Sequence, residues 1–108
     1  MTEPAADDGL PDGLELTRTT AVFDESTVPA GLLRAHQVAT RVWGRLVVRE
    51  GETGFVFEDE PEVVRRLRAG ESVVIPPERP HHVHLVGPVR FVVEFYRAPG
   101  QPTSSPSA

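Results

Sequence analysis

The strongest constraint on this chain is an alternation of period two, cut into short runs by glycine, proline and acidic residues. LELTRT, LLRAHQV, GRLVVRE, GFVFED, VVRRL, SVVI, HVHLV and VRFVVEFY alternate or run apolar over strand-like lengths. Successive side chains on a strand point to opposite faces, so such runs bury one face of an antiparallel sheet. Eleven prolines and nine glycines leave little room for long helices. At 108 residues the chain has the size of one domain with one core. These features predict an all-β fold of about eight short strands, a small sandwich or barrel.

One segment admits a second reading. In PEVVRRLRAGE (61–71) Val63, Val64 and Leu67 also fit one face of a helix ended by Gly70, but two turns are marginal without packing. Gly51 to Gly54 and Gly87-Pro88 suit tight connections between antiparallel neighbours. Residues 1–9 are small and acidic, and 98–108 are rich in Pro, Ser and Gly. Both are expected to be disordered tails flanking a domain over 10–97.

Composition removes several functions. There is no cysteine, so a bound metal must use histidine, carboxylate or water. The net charge is -5 and the basic residues are dispersed, which argues against nucleic acid as a partner. No run approaches the roughly 20 apolar residues of a membrane span, and the N-terminus lacks the features of a signal peptide. The expectation is a cytoplasmic protein with no membrane partner.

GESVVIPPERPHHVHL (70–85) holds three of the four histidines. Pro76 and Pro77 have no N–H to give a ladder, and Pro80 makes a second stop. His81 is thus delivered at a fixed place opening the next strand. There His81, Val83 and Leu85 share one face and His82, His84 and Val86 the other, so His81 is expected to point inward. His82 and His84 form either a weak chelating pair or a solvated strand edge.

Gly70, Pro76 and His81, separated by five and four residues, resemble the second motif of the cupin superfamily, whose histidine is a metal ligand inside a double-stranded β-helix. Glu78 stands where that motif has glycine, and Leu85 where it has asparagine. AHQVATRVWGRLVVREG resembles the first motif, with His36 in the first histidine position, Val38 in the second, Gly44 near the glutamate and Gly51 as the closing glycine. Over about residues 10–97 the chain is similar to the small cupin-like TehB/YeaR-like family, labelled tellurite-resistance proteins. LPDGLELTRTTAVFDESTVPAGLLRAH, WGRLVVREG, IPPERPH and VRFVVEFYR carry that likeness. In that family the domain occurs alone or fused to a methyltransferase, for which this chain has no room. The resemblance implies a single cupin-like jelly-roll barrel.

Glu94, among apolar neighbours in RFVVEFY, is costly to bury unless paired or bound to a metal. It either meets an arginine such as Arg34, Arg41 or Arg45, faces water, or joins His36 and His81 as a metal ligand. The case for His36 rests mainly on the resemblance. Two histidines and one carboxylate leave coordination positions open and suit Fe(II) or zinc. The alternative reading of His81 is a hydrogen-bonded core residue. Arg41, Arg45 and Tyr96 are candidates to line a pocket for an anion, or else mark a solvent face. Trp43 is expected in a core or interface.

Three functions follow: a metal-dependent domain acting on a small molecule, a non-catalytic ligand-binding or stress-response module (for tellurite, nitrate or nitric oxide), and a structural dimer without metal. A homodimer through exposed sheet edges is expected in each.

Overall fold

The structure, a computed structural model, describes residues 10–34 and 41–99. It is all-β: six strands in antiparallel pairing, with one short 3-10 helix at Ala30–Leu33 among the described residues. The strands are β1 (Glu15–Thr19), β2 (Phe23–Asp24), β3 (Trp43–Phe57), β4 (Arg65–Arg68), β5 (Ser72–Ile75) and β6 (His81–Arg97).

β3 and β6 form the backbone of the fold, paired from Trp43 with Tyr96 to Phe57 with His81. Each absorbs two of the expected strands. The expected hairpins at Gly51–Gly54 and Gly87-Pro88 are instead irregularities within continuous strands, with register shifts between Val48 and Glu50 and between Gly51 and Thr53. Such bulges bend a strand and increase its twist. Pro88 is tolerated because it stands in the stretch where ladder pairing is interrupted. Gly51 has φ +77, and a Cβ there would lie 2.1 Å from the Pro88 carbonyl oxygen. The sequence signals for a turn were real, and the chain spends them on a bend.

The bend gives β3 different neighbours along its length. Gly44–Val47 pairs with β5, and Glu52–Phe55 pairs with β4. On the far side of β6, β1 pairs with its C-terminal end and β2 with Phe91 and Arg90. One core joins both halves: Leu46, Val48, Phe91 and Val93 pack with Phe55, Phe57 and Val83. Phe55 and Phe91 are fully buried, each contributing about 1.5–3 kcal/mol.

The segment 61–71 is not a helix. β4 covers Arg65–Arg68 with Leu67 buried, while Val63 and Val64 are exposed, so only Leu67 reaches the core and the pairing of β4 with β3, not an apolar helical face, sets this segment. LLRAHQV does not open as a strand, since Leu32 and Leu33 belong to the 3-10 helix, Arg34 caps its C-terminal end, and 35–38 lie outside the described residues. Trp43 opens β3 half-buried.

Candidate functional site

His81 opens β6 opposite Phe57 and is 2% exposed. β5 ends at Ile75, and a turn follows in which Arg79 N donates to the Pro76 carbonyl at 3.4 Å. Pro77 takes the second place of this turn and Glu78, with φ +64, the third, which is the arrangement of a type II turn. The turn presents the Arg79 carbonyl to His81, whose Nδ1 lies 2.8 Å from it. A carbonyl only accepts, so Nδ1 carries the proton, and in the neutral ring Nε2 is the acceptor. The imidazole stacks on Phe55, centroids 5.4 Å apart, and meets the edge of Phe57.

This ring forms part of the wall of a cavity of about 270 Å³ inside the curled sheet. Leu46, Phe55, Ile75, Val83 and Val93 make its depth, with Arg18, Leu32 and Phe95 nearer the surface. His81 is the one buried polar side chain among the described lining residues.

The structure does not bring Glu94 to His81. Val93 and Phe95, on either side of Glu94, line the cavity, so alternation turns Glu94 to the opposite face of β6. There it meets Arg45 in register, Nε to Oε1 3.1 Å. Tyr96 donates to the same oxygen at 2.6 Å, and Arg45 Nη2 donates to the Tyr96 hydroxyl at 2.9 Å. Of the readings open for Glu94, the arginine partner is the one found. Burial pushes the Tyr96 phenol above its usual value near 10, Glu94 pushes it the same way, and Arg45 opposes them. Arg45 and Tyr96 are thus brought together, but around Glu94 and away from the cavity.

The remaining candidates scatter. His36 lies outside the described residues. Arg41 is an exposed residue with φ +68 preceding β3. His82 faces away from His81, with Nδ1 2.5 Å from Glu58 Oε2, and His84 is exposed on the same side. Among the described residues no three of His, Asp and Glu come together as a metal site, and His81 alone of these types lines the cavity. The described donors therefore do not fit a three-ligand metal centre.

Arg18 is the residue that sequence reasoning missed. Simple alternation along LELTRT puts Arg18 on the face of Leu16, which pairs with Tyr96. A register shift between Leu16 and Arg18 instead sets Arg18 opposite Phe95, on the cavity face. Its guanidinium carbon lies 4.7 Å from the centre of the Phe95 ring.

Comparison with known proteins agrees with this architecture. The family described as TehB-like domain matches residues 18–93. The uncharacterised protein YeaR of Escherichia coli K12 is 31% identical over 99 residues, spanning 83% of each chain. A crystal structure of an E. coli K12 protein superposes with TM-score 0.76 at 28% identity, over 83% of this chain and 96% of that one. TehB from Haemophilus influenzae follows at TM-score 0.73 and 16% identity, over 81% of this chain but 32% of its own. A cupin protein from Bacteroides fragilis has the like fold at TM-score 0.56 and 17% identity, over 89% of this chain and 77% of that one. The barrel is cupin-like.

Proposed function

The chain belongs to the TehB-like domain family, and from that premise we propose that it is a small-molecule-binding module whose ligand sits in the barrel cavity against His81. The observation that carries this reading is the cavity itself, about 270 Å³ and apolar at depth, with one fully buried imidazole in its wall. An engineered apolar cavity of about 150 Å³ takes up benzene, so a ring with a short substituent fits here. Binding pockets generally combine an apolar lining with a few placed polar groups. The described wall also favours binding over turnover: the Thr20 hydroxyl donates to the Ala21 carbonyl at 2.8 Å, and no carboxylate lines the cavity among the described residues.

The test is a titration of the untagged full chain with toluene, followed by the resonances of the His81 ring and the Val83 and Val93 methyl groups. Saturable shifts largest at these three residues are expected. Shifts that do not saturate, or that spread over the surface, overturn the reading. Elemental analysis of the same sample adds a second readout: about one metal per chain, lost in His81→Phe, would put a metal centre in its place.

A further inference from the structure

We propose that Arg18 receives the carboxylate of the bound ligand, so that the cavity selects a carboxylic acid with an apolar body. This inference rests on the small-molecule reading above and names its ligand class. Three observations carry it. The β1 irregularity is directed: the shift after Leu16 takes Arg18 off the outer face, where Leu16 stands opposite Tyr96, and places it opposite Phe95 at the cavity. Bulges are a recurrent way to re-aim one side chain. Thr17, the residue at the shift, fixes it by donating its hydroxyl to the Phe95 carbonyl at 3.1 Å.

The second observation is the state of the cation. Arg18 lies over the Phe95 ring, and no carboxylate among the described residues pairs with it. By contrast Arg45, Arg65, Arg66, Arg79 and Arg90 each reach an acidic side chain. A guanidinium stacked on an aromatic face keeps its N–H fork directed outward, the geometry that takes a carboxylate by two parallel hydrogen bonds. The third is the order of polarity through the cavity. Arg18 is exposed, whereas Phe55, Val83 and His81 are buried, so a charged head stays near water while its apolar body goes inward.

The test compares phenylacetate with its neutral amide, phenylacetamide, on the full chain, with wild type, Arg18→Met and Arg18→Lys. Methionine keeps an apolar stem over Phe95 and removes the charge. Expected is a preference for phenylacetate of about tenfold in the wild type, erased in Arg18→Met. Arg18→Lys should retain part of the preference, and added salt should weaken it. Equal binding of both probes by the wild type, or a preference that survives in Arg18→Met, overturns the role of Arg18 while leaving the cavity reading intact. Binding of neither probe overturns both.

Discussion

Arg45 and Glu94 face each other across β3 and β6, and their 3.1 Å contact closes a triangle with the Tyr96 hydroxyl, which donates to the same carboxylate oxygen at 2.6 Å. A lone acid in an apolar strand has two inexpensive solutions, a metal or a cation. Here the register supplies the cation directly opposite.

That triangle sets the ionisation of the chain's one tyrosine. Glu94→Gln removes a charge that disfavours phenolate, so the Tyr96 pKa should fall towards its ordinary value. Arg45→Met removes the opposing charge and should raise it further. Because folding raises this pKa, its stabilising contribution is complete below about pH 10 and is lost as pH rises through the folded value. Phenolate absorbance during alkaline titration reads the first effect, and denaturant unfolding at several pH values the second.

Glu94→Ala should leave both metal content and toluene binding as in the wild type, since the carboxylate lies on the opposite face from the cavity. It should still lower stability, by about 1–3 kcal/mol, because the buried end of the Tyr96–Arg45 pair loses its acceptor. His81→Ala should cost about 2–4 kcal/mol through the void left beside Phe55. Urea unfolding and elemental analysis of both variants check this; a loss of metal in Glu94→Ala would contradict the placement.

The alternation of apolar residues made the all-β class and the inward face of His81 legible, because burial follows the two-residue period directly. The continuous strands were not legible. Gly51 and Gly87-Pro88 are written in the same residues as a hairpin turn, and only the pairing of Gly51 with Val89 shows that the chain bends and does not reverse. Arg18 was hidden for a related reason: one register shift inverts which face a residue occupies, and nothing in LELTRT marks it. The apolar setting of Glu94 in RFVVEFY was legible as a need for a partner, but which partner was not, because it depends on the register that sets Arg45 opposite it on the face away from the cavity.

Gly51→Ala should be much more damaging than Gly70→Ala. Both positions have positive φ, +77 and +89, so alanine is strained by about 1–2 kcal/mol at either. At Gly70 nothing lies within 4 Å of the new Cβ, whereas at Gly51 it would sit 2.1 Å from the Pro88 carbonyl oxygen. The backbone of both long strands must then move apart at their bend. Urea midpoints of the two variants, at matched slope, give the comparison, and equal losses would mean that the β3–β6 approach is looser than described.

The turn that presents His81 offers an inverted glycine test. Glu78 occupies a left-handed φ of +64 at the position where the cupin motif carries glycine. At an ordinary site glycine is the less stable choice, by roughly 0.5–1 kcal/mol relative to alanine in a helix or strand. Here Glu78→Gly should be more stable than Glu78→Ala by about 1 kcal/mol, because only alanine retains the Cβ that opposes this conformation. Both variants lack the glutamate side chain, so its contacts cancel in the comparison. The effect should also reach the cavity: the Pro76–Arg79 turn holds the carbonyl that fixes the His81 proton on Nδ1. Nitrogen-15 shifts of the imidazole should therefore report one tautomer in Glu78→Gly and a mixture in any variant that loosens the turn. If alanine proves as stable as glycine, the turn does not have the left-handed residue on which the placement of His81 depends.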